Sequence, residues 1–252
     1  MRIQILKSST MHPNGHFSAS YLVNHDTVID AGSIGFSELS LQRRIRHVVL
    51  SHSHSDHICS LPILIDNIFE PGPDCVQVYA SSQTIDCLQQ HIFNDAIWPD
   101  LLRLESEESP FVKFVTLQDR ESVQLGNVTV TPVALNHLVP TYGFLIEDSQ
   151  AAVALVSDTS PTESIWELAR NHQNLKAVLL ECAFPNSMGW LAEKACHLTP
   201  DAFLQEYRKL KRDVPVIAIH IKPAFYDQVV SELQSLGIPA LTIGTPQQEL
   251  IF

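Results

Sequence analysis

The stretch Leu50-Ser51-His52-Ser53-His54-Ser55-Asp56-His57 constrains this chain more than any other. It places three histidines and an aspartate within six consecutive positions, directly after the apolar run Val48-Val49-Leu50. Imidazole and carboxylate are the donors that hold Zn²⁺ and related divalent ions, and the end of a buried strand is where a fold can aim them. In extended backbone, side chains two apart point the same way, so His52 and His54 can grip one ion. Asp56 and His57, as the chain turns, can face another. Ser/His-rich tracts also occur as adventitious surface metal binders. Here the tract lies between a buried-strand pattern and the apolar segment Ile58 to Ile68, which argues for a built site.

The same arrangement, an apolar run with a donor at its carboxyl end, recurs along the chain. The hairpin Ser122 to Leu125 and Val128 to Ala134 delivers Asn136-His137, and Ala152 to Val156 ends at Ser157-Asp158-Thr159. Ala177 to Leu180 ends at Glu181-Cys182, and Val214 to Ile219 ends at His220. A lone histidine is more often a satisfied core or loop residue, but a shared position at strand ends is a pattern that chance explains poorly. Asp30, closing the run Thr27 to Asp30 before Ala31-Gly32, reads equally as a turn cap or as a group supporting a metal ligand.

Helical spacing is expected over Glu38–Arg46, Ile58–Phe69, Ser81–Phe93, Thr162–Asn171, Pro200–Lys211 with Thr199 as cap, and Ala224–Leu236. His12 and His16 fall in the polar loop Lys7 to His16, which could border a cleft. The segment His91 to Asp100 carries aromatics among polar groups, more consistent with core than with a base-stacking platform. Strands and helices mix in both halves with no Gly-, Ser- or Pro-rich linker, so residues 1–252 are expected to form one α/β domain.

Composition narrows the function classes. With 45% apolar and 17% charged residues the chain can bury a large core. A formal net charge of −12 opposes tracking a nucleic-acid backbone, so an anionic substrate must be drawn by local cations, bound metals included. Five cysteines, odd in number and without CxxC spacing, fit reduced thiols in the cytoplasm. Met1 to Ser8 has too short an apolar core for a signal peptide, and no segment suits a membrane span. A cytoplasmic enzyme, with a homodimer as the default assembly, is the expectation.

HSHSDH together with His137, Ser157-Asp158-Thr159 and His220 resembles the metallo-β-lactamase superfamily, whose fold is a four-layer αββα sandwich. The resemblance implies that His52, His54 and His137 hold one metal, that Asp56, His57 and His220 hold a second, and that Asp158 and a hydroxide bridge them. It implies two divalent ions, Zn²⁺ foremost, with Mn²⁺ or Fe²⁺ also suited to these donors. Glu181-Cys182-Ala183-Phe184-Pro185-Asn186, His197-Leu198-Thr199-Pro200 and His220-Ile221-Lys222-Pro223 are similar to class II cyclic-nucleotide phosphodiesterases. So is Phe93-Asn94-Asp95-Ala96-Ile97-Trp98-Pro99; Ala183 stands where a serine is expected.

That resemblance implies hydrolysis of a 3′,5′-cyclic nucleotide, cAMP or cGMP, to the 5′-monophosphate. His197 is then the candidate acid for the leaving oxygen, Glu181 the group that holds its ring, and Asp56 a shared metal and catalytic carboxylate. Asn94 and Trp98 are candidate substrate contacts. Glu181 with His197 also resembles tRNA 3′-processing endonucleases, which are the principal alternative. A small-molecule hydrolase of a thioester, lactone or other phosphodiester is a second.

Overall fold

The computed structural model describes residues 1–8 and 18–252, so His12 and His16 lie outside the described residues. The strands are β1 (Arg2–Ile5), β2 (Tyr21–Val23), β3 (Thr27–Ile29), β4 (His47–Val49), β5 (Val76–Ala80), β6 (Val112–Thr116) and β7 (Val123–Leu125). They continue as β8 (Val128–Leu135), β9 (Thr141–Glu147), β10 (Ala152–Val156), β11 (Leu175–Glu181), β12 (Val216–Ile219), β13 (Leu241–Ile243) and β14 (Glu249–Ile251). The helices are α1 (Leu39–Gln42), α2 (Ser55–Ile58), α3 (Leu61–Ile68), α4 (Ser82–His91), α5 (Leu101–Leu104), α6 (Ser164–Asn171), α7 (Gly189–Ala195), α8 (Pro200–Leu210) and α9 (Tyr226–Gln234).

Two sheets form, in the orders β14-β1-β2-β3-β4-β5-β6 and β13-β12-β11-β10-β9-β8-β7. Each has an antiparallel half and a parallel half: β3 to β6 run parallel in the first, β10 to β13 in the second. Strand periodicity sorts the apolar residues into layers. Along β10, Val153 and Leu155 face the other sheet, meeting Ile3, Ile29 and Val49, while Ala152, Ala154 and Val156 face outward. Trp166 of α6, Phe203 of α8 and Leu233 of α9 cover that outer face. Val28, Val48 and Val78 of the first sheet pack outward against Leu61 and Leu64 of α3 and Leu88 of α4. The result is the expected αββα sandwich, with one apolar layer between the sheets and one beneath each helical face.

Helix and strand ends follow local chemistry. The Ser81 side chain accepts the N–H of Thr84 at the start of α4, and Thr199 with Pro200 opens α8. The helix expected over Ile58–Phe69 is two pieces, and α2 begins inside the metal stretch at Ser55, with Asp56 in its first turn. Because the parallel strands of each sheet end at a common edge, the donors that follow them converge there.

Candidate metal centre

Four loops meet at that edge. β4 leads into His52, His54, Asp56 and His57; β8 leads to His137; β10 leads to Asp158; β12 leads to His220. Asp30 after β3 and His220 after β12 both adopt left-handed backbone, with φ of 58° each. That sharp turn ends each strand abruptly and redirects its side chain. Gly32 permits the close approach of the β3 loop to the metal stretch, since a Cβ there would lie 2.0 Å from the Asp56 carbonyl oxygen.

Asp158 Oδ2 sits at the centre. It lies 3.0 Å from His220 Nε2, 3.4 Å from His57 Nε2, 3.7 Å from His52 Nε2 and 3.9 Å from His137 Nε2. His54 turns its Nδ1 to within 3.1 Å of His137 Nε2. Asp56 Oδ2 is 3.7 Å from His220 Nε2 and 3.9 Å from His57 Nε2. The donor atoms of His52, His54, His137 and Asp158 form one compact group, and those of Asp56, His57 and His220 another. Asp158 belongs also to a third group with His197 and His220.

The other side of each ring is fixed by the protein. Asp30, fully buried, accepts the Nδ1–H of His57 at 2.8 Å, the Ser51 backbone N–H at 2.7 Å and the Ser51 hydroxyl at 2.9 Å. With its proton given to Asp30, Ser51 Oγ is left to accept from His52 Nδ1, 2.9 Å away. The Cys196 carbonyl accepts from His137 Nδ1 at 2.9 Å. These partners place the ring protons outward and leave the Nε2 lone pairs of His52, His57 and His137 facing the cluster.

These donors fit divalent ions. Among the described residues, His52 Nε2, His57 Nε2 and Asp158 Oδ1 are buried with no hydrogen-bond partner, although buried polar atoms are rarely left so. Several lone pairs converging on a carboxylate repel one another unless a cation lies among them. Burial pushes the pKa of His52 well down and lowers those of His54 and His137, favouring the neutral ring that binds metal. Burial also opposes charge on His57, but Asp158 and Asp30 outweigh it and raise that ring's pKa well up, so a metal among these donors would displace a proton from His57 Nε2 to reach its lone pair.

Beside the cluster, His197 Nδ1 is 2.8 Å from Glu181 Oε1, and its Nε2 faces Asp158 Oδ2 at 3.9 Å. Burial disfavours the imidazolium, yet the Glu181 carboxylate overrides this and raises the His197 pKa. Glu181 is fully buried and also accepts the backbone N–H groups of Thr159 at 2.9 Å, Ala183 at 3.1 Å and Leu198 at 3.3 Å. It therefore ties the loops after β10, β11 and α7 together around His197.

The structure does not bring Asn94 and Trp98 to this cluster. α4 starts at the edge where β5 ends and runs back about 15 Å, the rise of ten helical residues. Gln89, near its end, lines a hollow with Cys75 and Val112 at the amino ends of β5 and β6. Asn94 Oδ1 accepts the N–H groups of Ala96 and Ile97, and Trp98 packs against the outer core of the first sheet. Sequence reading also missed Ser51, the Cys196 carbonyl and Lys222 as parts of the site; for Ser51 the signal was its place between a strand end and His52.

Fold and donor set together define an αββα domain with a cluster of candidate metal donors at one edge. The chain belongs to the beta-lactamase superfamily, whose domain matches residues 26–221. It is 28% identical over 225 residues to a probable 3′,5′-cyclic-nucleotide phosphodiesterase of Yersinia pestis, covering 77% of this chain and 63% of that protein. A Ribonuclease Z of Mycobacterium marinum is 29% identical over 134 residues, covering 48% of this chain and 47% of that protein. The chain thus spans less than two thirds of the length of both relatives. Its fold superposes on unliganded yeast PDE1 with a TM-score of 0.80 at 19% identity, covering 100% of this chain and 99% of the other.

Proposed function

We propose that this protein is a metal-dependent phosphodiesterase that hydrolyses a 3′,5′-cyclic nucleotide, cAMP or cGMP, to the 5′-monophosphate. The observation that carries this reading is the His197–Glu181 pair set against the donor cluster. His52, His54 and His137 would hold one divalent ion and Asp56, His57 and His220 a second, with Asp158 shared. Bound there, such ions supply a water of lowered pKa and neutralise charge on the phosphoryl oxygens.

The remaining chemistry falls to side chains. Water adds across the 3′ P–O bond, its hydroxyl going to phosphorus, and the leaving 3′-oxygen must take up a proton. Glu181 accepts from His197 Nδ1 and so fixes the ring with Nε2 toward the cluster. From there a protonated His197 can donate to the leaving oxygen. Because Glu181 is held by three backbone N–H groups, it is a fixed acceptor for His197.

The Ribonuclease Z match keeps a tRNA 3′-processing endonuclease as a second reading. A net charge of −12 weighs against it, since tRNA binding is dominated by phosphate contacts to basic side chains. Steady-state turnover of cAMP and cGMP beside a precursor tRNA separates the two. Cleavage of the tRNA with no cyclic-nucleotide turnover would refute the first reading and support the second.

A further inference from the structure

The ligand set leaves one charged residue at the site without a task. Lys222 Nζ lies 3.4 Å from Asp56 Oδ2 and 3.5 Å from His220 Nε2. Among the described residues it is the lysine or arginine that forms an ion pair with a candidate metal donor. Its backbone is pinned at both ends: its N–H donates to the Ala183 carbonyl at 3.2 Å, and its own carbonyl accepts from Phe225 at 2.9 Å. Pro223 then opens a tight helical turn over Pro223–Phe225 that fixes the exit of the chain. A flexible stem on a fixed base thus carries the ammonium beside Asp56 and His220, with about a third of the side chain exposed.

His220 Nε2 has a single lone pair and cannot serve both Lys222 and a metal, and an ion on Asp56 Oδ2 draws charge from the carboxylate that holds the ammonium. Once Asp56 Oδ2 and His220 Nε2 turn lone pairs to an ion, the ammonium shares the Asp56 carboxylate with that ion, has no acceptor in His220, and faces a like charge. It then needs an anionic partner at the solvent side of the cluster. A non-bridging phosphoryl oxygen of a substrate on the metals is such a partner; the alkyl side of an uncharged ester is not. We propose that Lys222 binds the phosphoryl oxygens of the substrate and makes the site selective for phosphate esters over uncharged esters. This rests on the phosphodiesterase reading, and names the residue that recognises the substrate's charge.

The test uses metal-loaded full-length protein, wild type and the variants Lys222→Met and Lys222→Arg, with metal content measured on every sample. Inorganic phosphate is titrated calorimetrically, and KM and kcat for cAMP are measured on the same preparations. Lys222→Met is expected to keep the wild-type metal content, bind phosphate about 10–100-fold more weakly, and raise KM by a similar factor, the range for losing one charge-assisted hydrogen bond. Lys222→Arg, which keeps the charge, is expected to recover most of both. Unchanged phosphate affinity in Lys222→Met overturns the proposal. Metal loss in step with affinity loss also overturns it, because Lys222 would then merely brace Asp56. A wild type that binds phosphate through Lys222 yet turns over no cyclic nucleotide overturns the substrate reading alone.

Discussion

Asp30 is the residue through which the metal centre can be perturbed most cleanly without touching a ligand. Its carboxylate accepts three hydrogen bonds in a fully buried position: from the Ser51 N–H, the Ser51 hydroxyl and His57 Nδ1. In Asp30→Asn one of the two acceptor oxygens becomes an NH₂ donor. With the amide turned one way, NH₂ faces the Ser51 backbone N–H, which cannot rearrange. Turned the other way, it faces His57 Nδ1, and His57 must shift its proton to Nε2, where an ion needs the lone pair. Asparagine tolerates the left-handed backbone at this position, φ 58°, so the effect is not a backbone effect.

Loss of such a supporting partner lowers metal affinity about 10–100-fold, equivalent to about 1.4–2.7 kcal/mol. The weakened site is the proposed one of Asp56, His57 and His220, with a smaller effect on His52 through Ser51 Oγ. The assay is calorimetric titration of the metal-free protein with Zn²⁺, with a thermal melt of each variant to confirm folding. Asp30→Asn that binds Zn²⁺ with wild-type stoichiometry and affinity would refute the reasoning.

Three further outcomes are expected. His197→Ala lowers kcat for cAMP by about 10²–10⁴ with metal content intact, if it is the proton donor; unchanged turnover removes it from that role. Gly32→Ala drives a Cβ into the Asp56 carbonyl oxygen, 2.0 Å away, so a loss of about 1–3 kcal/mol in stability is expected by chemical denaturation, together with weaker metal binding. An unaltered denaturation midpoint contradicts that. Asn94→Ala removes an acceptor for two backbone N–H groups at a turn remote from the cluster, which costs about 1 kcal/mol of stability and leaves KM unchanged; a large rise in KM restores it as a substrate contact.

What was legible in the sequence is what depends on short-range pattern. β4, β10, β11 and β12 announce themselves as apolar runs, and each ends in the donor or supporting residue that the structure brings to the shared edge. Their convergence needs only parallel strands of similar length, which the αββα resemblance supplied. Asp30 was ambiguous because its role is set by Ser51 and His57, 21 and 27 residues away. The helix α7 was not anticipated, since Gly189-Trp190-Leu191-Ala192-Glu193-Lys194-Ala195 opens with glycine and buries only Ala192. β14 escaped notice for another reason: its three residues become a strand by pairing with β1 at the other end of the chain. For Asn94 and Trp98 motif similarity carried no direction, and the structure sets them beyond the end of α4, outside the donor cluster.

The most direct measurement is turnover of cAMP and cGMP, beside bis(p-nitrophenyl) phosphate and a precursor tRNA, by protein whose metal content is determined on the same sample. Hydrolysis of a cyclic nucleotide to its 5′-monophosphate, lost on chelation and regained with divalent metal, is the expected result. Full metal occupancy with no cyclic-nucleotide turnover, whatever happens to the artificial diester or the tRNA, contradicts the proposed function.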